Sequence, residues 1–510
     1  MKDRPMPDKA PDQTASPARQ NVLVRARNGD VIRYDDSGLV LRLSDKVIAD
    51  IALRLGTAPR PADAPAPPGA PAPHHPPSAA GTAEDTRLDK LDIWDVTQAG
   101  DWLMFNGRLP GKQGVRRYRL AAAGGHVLAD APGPLCAILG IGGARAALAD
   151  DHRTCDFPQH ILAPADDIGA VGHAGTERAA QTALLEHLRE MTHEALTAEA
   201  FLNWQLDKHQ PLPLFVTRVE TDESADAAAL AQGPALDNLL IAAANLGRAA
   251  ASMGKKARLL AVTLDYALED TSGSALAYRD GVLALMTRIG AGLTALGLTP
   301  PVFVTRFERG SDALPDHHAI VGQWELVWNH GDHRLLFSAP GYMFSHDDTD
   351  RPTPDARRQM AEMTAAAISD PDHWQCPLFH LAETTPCPDG AKIRLVAQAR
   401  SGLVLAAGDA ACAGHPVGLR LVGDTAGAKI TAVAVDPADP KALLLTLDRM
   451  PVGPDLRLAY AIGAADPAGG AACLAIRDDW SLASATGATL HRWALPCLLP
   501  IHQGGDHPNA

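Results

Sequence analysis

Across residues 158–370 short apolar runs alternate with longer segments in which apolar residues recur every three or four positions, and this rhythm limits the fold more than any other feature. The runs fall at 160–163, 212–217, 258–264, 301–307 and 334–338, and the helical segments between them at 179–200, 235–253, 275–296 and 354–368. Such alternation predicts βαβ units and a five-stranded parallel sheet with helices on both faces. Ligands of open α/β sheets bind beyond the carboxyl ends of the strands. The loops to inspect are therefore 164–172, 218–233, 265–274, 308–318 and 339–353.

The flanks have other rhythms. Residues 1–20 are hydrophilic and proline-bearing and read as a disordered tail; residues 21–57 carry alternating apolar positions, a hairpin signal at Asn28-Gly29-Asp30 and a helix-like end over 46–55, which together predict a small anchor module. Residues 58–88 are rich in Pro and Ala, a composition that buries no core and favours an extended spacer. Residues 89–157 read as a small β-rich module. The α/β domain is assigned to 158–386, and the short, turn-punctuated strands of 387–510 predict a β-sandwich.

With 510 residues and 46% hydrophobic content, the chain is long enough for several cores. Its formal charge of −14 disfavours nucleic acid as a main partner. The opening twenty residues lack the apolar region of a secretory signal, and no later run is apolar enough to span a bilayer, so synthesis in the cytoplasm without membrane insertion is expected. Cysteines 136, 155, 376, 387, 412, 473 and 497 are too scattered for a zinc ribbon or a redox pair and read as small apolar residues. His74 and His75 lack further ligands, and the glycines of 140–143 lack the spacing of a dinucleotide loop, so no metal and no cofactor are expected.

Several stretches carry a resemblance to a known family. They are 229–270 (ALAQGPALDNLLIAAANLGRAAASMGKKARLLAVTLDYALED), SALAYRDGVLALMTRI, GYMFSHDDTDRPTPDARRQMAE and, near the end, LRLAYAIG, RDDWS and LHRWALP. In layout and degenerate motifs, residues 158–500 resemble the SGNH/GDSL hydrolases, in particular the sialate O-acetylesterase-like branch found in phage spike and fibre proteins and in gene transfer agents. The resemblance implies an ester hydrolase with a serine after the first strand, oxyanion donors, and an Asp-x-x-His pair whose histidine is the base. This chain departs from that pattern. No serine occurs between Ser78 and Ser224; Ala165, Asp166 and Asp167 follow the expected first strand, and Arg351 stands where the base belongs, after Asp348. Arginine stays protonated at any working pH and cannot accept the proton. Ser224 and His346 are the only substitutes in reach, and each has the wrong placement. No catalytic residue is therefore assigned.

A fold that loses its chemistry can keep a cleft. Asp166, Asp167, Glu269, Asp270, Tyr342, His346, Asp348 and Arg351 are the candidate carbohydrate-binding residues, since carboxylates, imidazole and guanidinium hydrogen-bond sugar hydroxyls and a ring can stack on a sugar face. Trp324 and Trp328, four apart, and Trp480 and Trp493 read mainly as core. The resemblance implies a virion spike or fibre that binds capsular polysaccharide on a host cell, attached to a virion structural protein through 21–57 and assembled as a homo-oligomer such as a trimer. The alternative is an active O-acetylesterase on acetylated polysaccharide.

Overall fold

In this computed structural model the described residues are 21–25, 31–35, 38–42, 91–150, 153–223, 226–267, 269–309, 318–347, 351–387, 390–407, 418–453, 455–462 and 474–503. The chain divides into two units, residues 1–80 and 81–510. In the first, β1 (Asn21–Arg25), β2 (Val31–Asp35) and β3 (Gly38–Arg42) form an antiparallel sheet, so the expected hairpin is present. Its turn, the expected helix over 46–55 and the Pro/Ala segment lie outside the described residues.

The second unit opens with a four-stranded antiparallel sheet, β4 (Asp92–Ala99), β5 (Trp102–Arg108), β6 (Val115–Ala121) and β7 (Leu128–Ala129). Next comes β8 (Leu135–Gly142), every residue of which is buried. It belongs not to the small module but to the centre of the α/β sheet. That sheet also contains β9 (Ile161–Pro164), β10 (Leu185–His187), β11 (Leu214–Thr221), β12 (Ala257–Asp265), β13 (Val302–Phe307) and β14 (Leu335–Pro340), in the order β10-β9-β11-β8-β12-β13-β14. The expected five strands are thus seven. The five are all present, and β8 and the antiparallel edge strand β10 are added.

Helices pack on both faces. Alternate residues of β8 separate cleanly, with Leu135, Ala137, Leu139 and Ile141 facing one core and Cys136 and Ile138 the other. On the second face lie α1 (His193–Asp207) and, later in the chain, the helix over 354–369. The first face carries α3 (Pro234–Ser252), α4 (Ala275–Ala295) and α5 (His318–Trp328), with the single turn α2 (Ala227–Leu230) preceding them. Local chemistry sets the helix starts: the Thr192 hydroxyl accepts from Ala195 N–H at 3.3 Å to open α1, and Thr353 does the same for Ala356 at 3.3 Å to open α6 (Pro354–Ser369), whose first residue is proline.

The β-sandwich expected from 387 on starts earlier, with β15 (Leu378–Cys387). The strands β16 (Gly390–Gln398), β17 (Val404–Ala407), β18 (Leu419–Val422), β19 (Ile430–Asp436), β20 (Asp439–Leu447), β21 (Arg457–Tyr460), β22 (Leu474–Ala483), β23 (Thr489–Trp493) and β24 (Cys497–Gln503) follow. They form a seven-stranded and a three-stranded sheet that share one core, including Phe379, Leu443, Ile476 and Trp493. Among the described residues no helix is long and apolar enough to cross a membrane.

Candidate functional site

The carboxyl ends of β8, β11, β12 and β13 meet around the turn that follows the central strand. Two glycines make this junction possible. A Cβ on Gly142 would lie 2.2 Å from the Asp265 carbonyl oxygen, and one on Gly143 would lie 2.6 Å from Glu269 Cγ. The Gly143 amide donates to the Asp265 carbonyl at 3.1 Å, and the Asp222 amide to the Gly142 carbonyl at 3.1 Å. The chain then enters a short 3-10 turn, Ala144–Ala147.

The first strand of this sheet along the chain is β8 rather than β9, so the turn after β8, and not 165–167, is where the resemblance expects a serine; the residues present are Gly143, Ala144 and Arg145. No hydroxyl is available on this turn. Charges fill the junction instead: the Arg145 amide donates to Glu269 Oε1 at 3.2 Å, and its guanidinium lies 3.5 Å from Glu308 Oε2. The Glu308 carboxylate also accepts from the Arg309 amide at 2.9 Å, and Arg306 pairs directly with Asp265. Burial works against the Arg145 charge, but Glu308, Asp265 and Glu269 more than offset it and raise its pKa. Burial also tends to raise Asp265, and there Arg306 and Arg145 prevail and hold it low. Glu269 and Glu308 are pushed up by burial, against the pull of Arg145.

Below this turn lies a small polar chamber bounded by Ile141, His193, Glu194, Thr263, Asp265 and Thr364, about 10 Å3 in volume. That is room for about one water. Burial drives the His193 pKa down to about 3, and its Nε2 faces the Thr364 hydroxyl at 3.0 Å. Thr263 donates to Glu194 Oε1 at 2.6 Å, and this carboxylate rests on Gly140, where a Cβ would come within 2.4 Å of it. A glycine in mid-strand is thereby explained.

The seven predicted residues that are described do not converge on one cleft. Asp166 turns inward, its side chain 2% exposed, and meets the fully buried Arg218, which also binds Glu220 Oε1 at 2.7 Å. Asp167 is the opposite case, 91% exposed at φ +67° and paired with Arg189 at 3.3 Å. Glu269 is at the central junction. Asp270 is buried and holds four partners: the Ala227 amide at 3.1 Å, the Ser272 amide at 3.0 Å, the Ser272 hydroxyl at 2.5 Å and His318 Nε2 at 3.2 Å. Tyr342, expected to face a sugar, is 2% exposed in the sandwich core and donates to the Ala494 carbonyl at 2.6 Å. The docked sandwich covers its ring, so it presents no stacking face.

His346 forms a bridge with Pro352 and points Nδ1 at the Phe344 carbonyl, 2.9 Å away. Arg351 is exposed, and its amide donates to Asp347 Oδ1 at 3.1 Å. Asp348 and Ser224 lie outside the described residues. Trp324 packs between the α/β and sandwich cores and donates to the Phe379 carbonyl at 3.0 Å, whereas Trp328 is 42% exposed. Trp493 is core, as expected, and Trp480 is packed at the edge of a core with Trp374. Of the cysteines, 136, 376 and 497 are buried and 155 is half-buried, all as free thiols. Among the described residues no group of three or more metal-ligating side chains occurs.

Sequence reasoning missed Asp265, Arg306, Glu308 and Arg145. A signal existed: each of the first three ends or follows an apolar run, where a charge marks the exit from the sheet.

No protein-family model and no curated protein matches the chain. Among solved structures it is similar to a carbohydrate acetylesterase from Xanthomonas citri, at 13% identity over 78% of this chain and 84% of that one, with a TM-score of 0.44. It is also similar to NanS, at 11% identity over 47% of this chain and 98% of that one, TM-score 0.31. A GDSL-like protein of Parabacteroides merdae is 12% identical over 46% of this chain and 97% of that one, TM-score 0.28.

Proposed function

We propose that this protein binds cell-surface polysaccharide on an SGNH-like frame that has lost its hydrolytic groups, and that it serves as the adhesive spike or fibre of a virion-like particle. The observation that carries the catalytic half of this reading is the turn after β8: Ala144 stands where a hydroxyl is needed, and Arg145 and Glu308 occupy the space with a neutralised ion pair. Removing members of a catalytic triad abolishes most of its acceleration, on the order of 10⁶-fold. The family resemblance supports the saccharide half. The small N-terminal sheet and the Pro/Ala spacer support an attachment to a virion structural protein through 21–57, and repetition in a homo-oligomer would raise weak binding by avidity.

A capsule pull-down and a glycan array with the full chain test the reading. Binding to at least one surface polysaccharide, with no hydrolysis of p-nitrophenyl acetate, is the expected result; retention on no glycan refutes it.

One observation favours the rival, an O-acetylesterase. Asp270 holds the Ser272 hydroxyl and His318 on the same carboxylate oxygen. In a working triad the imidazole lies between hydroxyl and acid, and here the acid lies between the other two. Ester cleavage that is lost in Ser272→Ala would establish the rival.

A further inference from the structure

A ligand-sized space lies at the other end of the sheet. A cleft of about 1020 Å3 opens at the amino ends of β8, β12, β13 and β14, and Arg119, Lys255, Lys256, Arg258 and Arg334 line it. None of its lining residues is acidic, in a chain whose net charge is −14. Five cations at one place in an acidic protein need a reason.

Some of them have structural duties. Arg119 is buried, pairs with Asp130 and lies 5.3 Å over the Trp102 ring. Lys255 donates to the Ala131 and Gly133 carbonyls, which ties the loop before β8 to the end of α3. Arg334 pairs with Asp372, whose side chain is 78% exposed, an arrangement worth little in water. Lys256 and Arg258 remain. Both are exposed, and among the described residues neither side chain has an ion pair or hydrogen bond. Lys256 directly precedes β12 and Arg258 is its second residue, and both line the cleft. Basic residues often complement the negative end of a helix, and Lys255, just beyond α3, fits that duty. Arg258 and Arg334, on or beside strands, do not.

The shape narrows the ligand. The volume is at the upper end of the ~300–1,000 Å3 typical of small-molecule clefts and far exceeds a lone phosphate. Met253, Leu259 and Pro300 add apolar wall, which suits the faces of sugar rings. A long polyanion would meet the repulsion of the whole acidic chain, whereas a short acidic saccharide carries few charges. We propose that this cleft binds an anionic oligosaccharide, roughly two to three carboxylate-bearing rings, through Lys256, Arg258 and Arg334. The saccharide identity rests on the function proposed above; the anionic character rests on the cleft alone.

Calorimetry on the full chain tests it, with trigalacturonate and a sialic acid dimer as anionic probes, maltotriose as the neutral control and a short single-stranded DNA as the competing class. The expected result is binding of at least one anionic sugar but not maltotriose, weakened by salt and reduced about tenfold or more in Lys256→Ala/Arg258→Ala, about 1.4 kcal/mol. Both side chains are exposed and unpaired, and an unchanged melting temperature of the double variant would show that folding is intact. Anionic-sugar binding that survives the double substitution overturns the site. Capsule binding in the pull-down with no response to either anionic probe overturns the cleft and leaves the proposed function standing, while failure of every saccharide overturns both. DNA binding tighter than either sugar, and lost in the same variant, overturns the saccharide assignment.

Discussion

Asp166 offers a sharp test, because ligand contact and structural pairing predict different outcomes for one substitution. The carboxylate meets Arg218 in a two-armed pair, with NH1 to Oδ1 and NH2 to Oδ2 both at 3.2 Å, and Arg218 in turn holds Glu220. All three side chains are essentially out of water. Burial raises the Glu220 pKa and Arg218 pulls it back down, so each member depends on the others. Removing one partner of a buried pair costs about 3–5 kcal/mol, since the remaining charge is left uncompensated. If residues 81–510 melt together, their unfolding entropy is about 0.9 kcal/mol/K, and Asp166→Ala should lower Tm by about 3–6 °C. Calorimetry of the full chain reads this shift. An apolar replacement of the whole group, Asp166→Leu/Arg218→Met/Glu220→Leu, should recover much of the loss. A folded Asp166→Ala variant with unchanged Tm and abolished glycan binding would refute the structural assignment.

Tyr342→Phe should destabilise the protein by about 1–3 kcal/mol, because the Ala494 carbonyl loses its donor in a buried site, and should leave glycan binding unchanged; thermal melting and the pull-down check both. Ala144→Ser restores a hydroxyl to the central turn but supplies no base, so its p-nitrophenyl acetate rate should stay at the wild-type level. His160, buried with Nδ1 against the Pro213 carbonyl at 3.0 Å, has its pKa driven down to about 4 by burial. The unfolded chain then binds the proton first as pH falls below the ordinary histidine value of 6.5, so this group's share of stability is lost between 6.5 and about 4, at up to about 1.4 kcal/mol per pH unit. His160→Gln should lack that slope in a stability profile over the same window, and an identical slope in both proteins would contradict the assignment.

The extent to which the sequence was legible follows the range of the interactions involved. Strands β9, β11, β12, β13 and β14 announced themselves because each is a short apolar run between amphipathic helices. Strand β8 did not. Buried on both faces, it has no alternation, and Gly140 and Gly142 look like loop residues until Glu194 and Asp265 are seen pressed against them. Strand β10 was hidden for another reason: its three residues sit at the front of a segment whose later part is α1, and so short an edge strand leaves no period to read.

At the site, the sequence by itself determined what the turn after β8 can offer, because no fold can create a hydroxyl where the chain holds Ala144. It also determined the order of helices and strands, which depends on local periodicity. Which charged groups face water was decided only by tertiary structure. Asp166 and Tyr342 are buried by elements more than fifty residues away, Arg218 in one case and the sandwich strands in the other. Among the described residues no carboxylate pairs with Lys256 or Arg258, and burial and pairing of that kind are properties of distance in space rather than along the chain.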